Sequence, residues 1–504
     1  MSGLATNMKK TLFFVVAIAM YVGMILFTYK YEMNPYLIFD EAGQFWMAQG
    51  LNHDSPAMSQ VGGVLDVIRN NQNYNFDPGG YSIIMHFWNK VSAHYLWMRS
   101  LSFMFFLLTI AAFGYLAYQW TRNVYIAVCA SLVPFLIPII YHVSFFVRAY
   151  SMEVFGCTIC AIAMHRLQLG VTYKRLIGYS LLIAVFMTSR WSFVIIAFLT
   201  SLYVLWLIYK SEYDIRRRWT MAAVYSVPLV VMVIVEYFVA LRYQNPSLQP
   251  LDWYLPYLYI NGHFNWQILF KRNTLYFFFC LAIIVRLTIY YKNSKVVQRC
   301  KGLLFVTISA CVVFFLLTCV GVHPWTTLKL VSTTILLALS LVAFGCHFLQ
   351  SKYHKLDIRF FLLALIALLL CEGCNEDMKL RKIGSDTLTE LRRINMTTQR
   401  VFVDNQETPF VRYLYEYGEL KGSSNYPQQV TFTPYRKHGF NTGEEIHYGL
   451  DVLYTQYTPS MDEMYDMYDI LIVPDYYKFR PQKVDGWKSV SERNAVWVKK
   501  RTLE

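Results

Sequence analysis

The sequence predicts a polytopic α-helical membrane protein of about eleven spans, ending in a separate polar α/β domain. Three observations lead there. Of 504 residues, 56% are hydrophobic and only 15% charged, more apolar surface than a soluble chain of this length can cover. The apolar residues fall into runs close to the roughly 20 residues that cross a bilayer as a helix. The net charge of +14 is spread in short clusters between those runs, as in cytoplasmic loops under the positive-inside rule. A nucleic-acid partner would need that charge gathered into a stripe, so none is expected.

In chain order, the runs are 12–29, 97–119, 124–141, 150–165, 176–189, 191–209, 219–240, 274–291, 302–320, 326–349 and 359–371. The first has no small-residue cleavage site and is followed by further spans, so it reads as an anchor rather than a removed signal. Lys9-Lys10, Arg122, "HRLQLGVTYKR", "KSEYDIRRR", "YKNSKVVQRCK" and "KYHKLDIR" are basic and, with eleven spans, fall on one side. The N-terminus is then cytoplasmic. A first loop at 30–96, a second at 241–273 and the tail at 372–504 face the other side, dividing the chain into a membrane domain (1–371) and an extracytoplasmic one (372–504).

In the first loop, "PGGYSIIMHFWNKV" opens on Pro and Gly and continues amphipathically, predicting a helix in the membrane interface among membrane lipids. In the tail, "RVFVD" and "DILIVPD" read as buried strands, "TPFVRYLYEYGEL" as an amphipathic helix, and "WKSV…AVWVKKR" as a closing strand pair. Cys371 and Cys374 form a lone CxxC at the last membrane exit, either a disulfide or two free thiols.

Two adjacent acids, Asp40 and Glu41, stand just past the first span among Phe39, Phe45 and Trp46. Either they cap and solvate a short helix, or they act as a pair. An ionisable residue at a membrane boundary is a functional candidate, and desolvation makes a carboxylate a stronger base. Asp77 in "YNFDPGGY" has the same two readings, since Asp-Pro-Gly is also ordinary turn chemistry. Arg99, Arg148, Arg190, Arg242, Lys271, Arg272 and Lys329 lie at the outer boundary against the positive-inside trend. Singly each reads as a snorkelling anchor; together they make a rim suited to phosphate at headgroup depth. His263 and His323 on outer loops read as structural histidines or substrate contacts. No HExxH, P-loop or Gly-rich dinucleotide fingerprint occurs.

The segments "FDEAGQFWMAQGL", "FDPGGYSIIMHFWNKV…LWMRSLSFMFFLLTIAAFGYLAY" and "YHVSFFVRAYSMEVFGCTICAIAMHRL" occur in the order seen in the GT-C glycosyltransferases of the protein O-mannosyltransferase and lipid A aminoarabinose transferase type, which the chain resembles over residues 10 to about 350. The resemblance implies a GT-C fold and a polyprenyl-phosphate sugar donor used on the non-cytoplasmic face. It implies Asp40 as general base with Glu41 as its partner. Asp77, Pro78 and Tyr81 match the second loop motif, Arg148 and Tyr150 the Arg-x-Tyr, and Lys329 the cation near the lipid phosphate. Many members use a divalent cation (Mg, Mn or Zn); here Asp40 and Glu153 would hold it. The chain departs from the pattern at Gly79-Gly80, which should loosen the loop, and at Phe145-Phe146, where many members carry a carboxylate.

The expectation is an inverting glycosyltransferase moving sugar to a glycan, lipid or protein acceptor, in a bacterial inner membrane. Arg242, Lys271, Arg272 and His323 complete the expected substrate contacts. The rival is a transporter or flippase for the same lipid. Transporters place ionisable or helix-breaking groups in mid-span, whereas polar groups here gather at the outer face.

Overall fold

The structure, a computed structural model, describes residues 2–33, 35–51, 60–74, 77–244, 259–260, 263–264, 272–319, 330–350, 355–369, 388–393, 399–403, 407–421, 429–432, 445–448, 452–455, 466–472, 486–490 and 496–499. Most of these residues are helical. Among the described residues, five helices are long and apolar enough to cross a membrane: Tyr95–Thr121, Trp191–Lys210, Ile215–Leu241, Lys301–Cys319 and Val331–Gln350. Three shorter apolar helical stretches cover Thr11–Leu26, Val124–Leu136 and Thr274–Tyr290. This is a smaller set than the eleven runs suggest, for identifiable reasons. The run at 124–141 breaks into α6 (Val124–Ser131), α7 (Val133–Leu136) and α8 (Pro138–Val143). Pro134 and Pro138 lack the N–H that a continuous helix needs and sit at the starts of the second and third pieces. The runs at 176–189 and 359–371 become helices of only 15 residues each, Tyr173–Met187 and Lys355–Leu369. The run at 150–165 becomes α9 (Tyr150–Gln168), which carries Glu153, His165 and Arg166 and is buried on most sides.

Several helices meet at the end of the bundle that carries Asp40 and Glu41. Helix α1 (Ser2–Glu32) leads to α2 (Phe39–Ala48), which carries the two acids in its first turn. Helices α3 (Val64–Tyr74) and α4 (Gly80–Asn89) follow, and α5 (Tyr95–Thr121) is the first long span. The expected interfacial helix at 78–91 is α4, which buries Tyr81, Ser82, Met85 and His86 against its neighbours and leaves Phe87 exposed. Helices α10 (Tyr173–Met187) and α11 (Trp191–Lys210) meet at a tight turn holding Arg190, and α12 (Ile215–Glu236) continues into a π-helical turn at Tyr237–Leu241.

The expected loose loop at Gly79-Gly80 is instead tightly packed. Gly79 has φ +104°, and a Cβ there would lie 2.7 Å from Asn71 Nδ2. A Cβ on Gly80 would lie 1.9 Å from Thr188 Oγ1, because the Gly80 N–H donates to the Thr188 carbonyl at 2.9 Å. Glycine here is what lets α4 touch the α10–α11 turn. The motif therefore binds two elements together where the sequence suggested slack.

A short antiparallel pair, β1 (Tyr259–Ile260) and β2 (His263–Phe264), lies in the second loop. The C-terminal region is a seven-stranded sheet in the order β5-β6-β4-β3-β7-β9-β8. Its strands are β3 (Arg400–Val403), β4 (Gln429–Phe432), β5 (Glu445–Tyr448), β6 (Val452–Thr455), β7 (Ile470–Ile472), β8 (Trp487–Ser489) and β9 (Val496–Lys499). The centre is parallel, with Val401 opposite both Val430 and Ile470. A parallel pair requires a crossover, and the helix Thr408–Glu416 after β3 lies in it. The expected strands at "RVFV" and "ILI", the amphipathic helix and the antiparallel closing pair β8–β9 are all present. Cys371, Cys374 and the junction between the two parts lie outside the described residues.

Candidate functional site

Asp40 and Glu41 share the first turn of α2, where the helix dipole favours negative charge, but they point into opposite environments. The Glu41 side chain is fully buried and faces the equally buried Arg99 of α5. Arg99 Nη1 donates to Glu41 Oε1 at 2.6 Å and to the Phe145 carbonyl at 2.7 Å. Arg99 Nη2 donates to the Tyr36 carbonyl at 2.6 Å and to Glu41 Oε2 at 3.3 Å. The backbone N–H of Val147 donates to Glu41 Oε1 at 3.0 Å, and that of Ile38 to Oε2 at 3.2 Å. With four donors on two oxygens, Glu41 has no room to take a proton from a substrate. It ties α2 to the segment carrying Arg148.

Asp40 is the exposed member, its side chain 53% accessible. Arg148 Nη1 lies 4.0 Å from Asp40 Oδ1 and donates to the Asp40 carbonyl at 3.4 Å. Arg148 Nη2 lies 3.7 Å from Asp77 Oδ2, and Arg190 Nε donates to Asp77 Oδ1 at 3.3 Å. Arg190 continues the chain, with Nη1 donating to Glu153 Oε2 at 3.0 Å and its guanidinium 4.2 Å from the Tyr150 ring centre. The hydroxyl of Ser192 donates to the other Glu153 oxygen. Burial works against the charge on both Arg148 and Arg190. The carboxylates of Asp40 and Asp77 offset it at Arg148, while at Arg190 the Tyr150 phenol and the carboxylates of Glu153 and Asp77 do so. Both therefore hold their protons more tightly than free arginine. One polar atom of this cluster, Arg148 Nε, is buried with no hydrogen-bond partner.

The backbone around Asp77 is held from three sides. Its carbonyl accepts from Asn71 Nδ2 and from Gln244 Nε2, each at 2.9 Å. Asn71 Oδ1 accepts from the Ser82 hydroxyl at 3.4 Å, and Ser82 accepts from Gln44 Nε2 of α2 at 2.7 Å. Tyr81 lies below, its hydroxyl 2.8 Å from Ser102 Oγ, and Ser102 donates in turn to the Phe146 carbonyl. Burial pushes the Tyr81 phenol up, so it stays neutral and serves as a fixed polar strut.

Of the residues picked from the sequence, the structure brings Asp40, Glu41, Asp77, Tyr81, Arg148, Tyr150 and Glu153 into this one region. Arg242 is exposed and lies over the rings of Phe238 and Tyr243 at 5.7 and 4.7 Å. Arg272 opens a helix whose first side chains are outside the described set, and Lys271, His323 and Lys329 lie outside the described residues. Arg190 and Arg99, seen in the sequence only as rim cations, are central here. An arginine within or beside an apolar run was the available signal. Ser192, Gln44 and Gln244 gave none, being ordinary polar residues within or beside helices.

The donors do not suit a resident Mg, Mn or Zn ion. Both oxygens of Asp77 face arginines, and both of Glu153 are taken by Arg190 and Ser192. Hard divalent cations need several free oxygen ligands. Among the described residues, no three His, Cys, Asp or Glu side chains converge to hold a metal. Compared with known proteins, the chain matches no family model and no curated protein.

Proposed function

We propose that this chain is an integral-membrane inverting glycosyltransferase of the GT-C kind, with about eleven membrane segments in all. It moves a sugar from a polyprenyl-phosphate donor to a glycan, lipid or protein acceptor at the non-cytoplasmic face of a bacterial inner membrane. The observation that carries this reading is an exposed carboxylate, Asp40, facing a buried arginine with an unsatisfied Nε. In the step, the acceptor hydroxyl or amine gives its proton to an Asp40 oxygen and attacks the anomeric carbon. The bond from that carbon to phosphate breaks, and the lipid phosphate leaves with the electron pair on the opposite side. Arg148, with Arg190 behind it, meets the charge on the leaving oxygen.

The electrostatic balance fits this sequence of events. Three carboxylates (Asp40, Asp77, Glu153) face two guanidiniums (Arg148, Arg190), and the excess negative charge lies at the exposed end. A proton arriving on Asp40 neutralises the cluster while the phosphate charge develops beside it. A base in this position contributes about 10²–10⁴-fold, and the largely buried arginines supply electrostatic stabilisation of the leaving charge. The arginines thereby do the work that a divalent cation does elsewhere.

The test uses purified full-length protein, a radiolabelled polyprenyl-phosphate sugar and crude acceptor membranes, with and without EDTA. Wild type is expected to transfer label in both conditions, and folded Asp40→Asn to lose transfer by about 10²-fold or more. Lipid crossing the bilayer with no transfer from any donor would replace the reading with a flippase. Abolition by EDTA with rescue by one metal would restore the cation.

A further inference from the structure

The outer domain is not an appendage hanging from the last helix, because its helix Thr408–Glu416 lies directly on the acid helix. Trp46 of α2 donates through Nε1 to the Pro409 carbonyl at 2.8 Å. The Tyr36 hydroxyl donates to Glu407 Oε1 at 3.4 Å, and the Tyr36 ring meets Phe410 edge-on at 4.4 Å. Phe45 is flanked by Tyr413 and Tyr417 at 4.9 and 5.2 Å. Arg412 sits 4.4 Å over the Trp46 ring and donates to Glu416 Oε1 at 2.9 Å, with both side chains almost wholly buried. The Tyr413 hydroxyl donates to the Ala93 carbonyl at 3.0 Å, just before the helix that carries Arg99.

These contacts reach the reactive end by a short route. Tyr36 is bonded at both of its ends, its hydroxyl to the outer domain and its carbonyl to Arg99. Arg99 holds Glu41, and Glu41 holds the Val147 N–H next to Arg148. The separation of Asp40 and Arg148 is therefore set by two latches in series, and the outer domain closes the second. A merely adjacent domain has no reason to bury an ion pair against Trp46 in the last turn of the acid helix. Burying it costs desolvation that is recovered only when its geometry is held.

We propose that the helix Thr408–Glu416 is a positioning element of the Asp40 centre, holding α2 through Tyr36, Trp46 and Arg412 in the geometry that turns over. This rests on the transferase reading for its kinetic part and on the contacts alone for its structural part. Positioning acts on the step that needs alignment, so it changes kcat rather than the donor KM, and a small misplacement is enough to cost about 10²-fold.

The test compares full-length Arg412→Met, Arg412→Lys and Trp46→Phe with wild type, reading hydrogen exchange of residues 37–48 and of strand β3 alongside steady-state kinetics. Arg412→Met should speed exchange of 37–48 about tenfold while leaving β3 protected, and lower kcat about tenfold or more with the donor KM within about twofold. Arg412→Lys keeps a cation over Trp46 and should recover most of both. Trp46→Phe keeps the ring and loses one hydrogen bond, giving a smaller change in the same direction. Unchanged exchange of 37–48 in Arg412→Met and Trp46→Phe would overturn the proposal. So would an acceptor KM that rises at constant kcat, since the domain would then be an acceptor-binding module. If 37–48 loosens as expected but wild type transfers no sugar, the clamp stands and the transferase reading falls.

Discussion

Arginines gather at both ends of the helix bundle, but the two ends use them differently. At the end that carries Asp40, Arg99, Arg148 and Arg190 each face carboxylates from other elements, with side chains 0%, 12% and 6% exposed. At the opposite end, Arg175 donates to the Arg166 and Gly170 carbonyls at 3.2 and 2.8 Å, Arg299 to the Trp120 carbonyl at 2.8 Å, and Arg218 to the Tyr213 carbonyl at 2.7 Å. Arg175 and Arg299 thereby close carbonyls in the last turns of α9 and α5, where a cation also suits the dipole, while Arg218 holds the bend before α12. They are half-buried and reach backbone acceptors from nearby helix ends. Arg286, paired with Asp357 at 3.0 Å, is the exception at that end. Positive charge alone therefore says little. What marks a site is a buried cation shared among carboxylates of several elements, with one carboxylate left open.

The contrast can be broken by substitution, and the largest effect is expected at the Glu41–Arg99 latch. Glu41→Gln leaves Arg99 buried without its counter-ion, which costs about 3–5 kcal/mol. In detergent extracts this should appear as a loss of folded monomer by size-exclusion chromatography. Gly80→Ala comes next, since its Cβ would collide with Thr188; overpacking of that kind costs about 1–3 kcal/mol, and Thr188→Gly in the same chain should return part of it. The smallest effect is expected at the far end. Arg175→Gln gives up carbonyl bonds on a half-buried side chain, worth about 0.5–1.5 kcal/mol, and should leave transfer unchanged. A large loss of transfer in Arg175→Gln would show that the two ends are not distinct in function.

Much of this was legible in the sequence, and the parts that were not share a cause. Apolar runs placed the helices because burial in lipid or in a neighbour selects the same residues. That equivalence also means that an apolar run does not by itself distinguish a helix facing lipid from one covered by protein. A run such as 150–165 reads as a span, yet α9 is largely covered by protein and carries Glu153 at the centre of an ion-pair chain. The tail strands "RVFV" and "ILI" were visible because central parallel strands are apolar on both faces. Strands β4, β5 and β6 were not, since "QVTF", "EIHY" and "VLYT" mix polar and apolar residues without a clean period. At the site, the pair Asp40-Glu41 was conspicuous by composition, but its division of labour was not. Which acid is buried depends on Arg99, 58 positions away. The Gly79-Gly80 pair looked like slack because the reason for it, Thr188, lies on another helix.

The most direct measurement is the folding of Asp40→Asn beside Glu41→Gln, by thermal unfolding of the full-length proteins in one detergent, with sugar transfer assayed on the same samples. The account predicts that Asp40→Asn unfolds with wild type and transfers at least about 10²-fold more slowly, while Glu41→Gln is lost to unfolding. Asp40→Asn unfolding as early as Glu41→Gln, or remaining folded with full transfer, would contradict it.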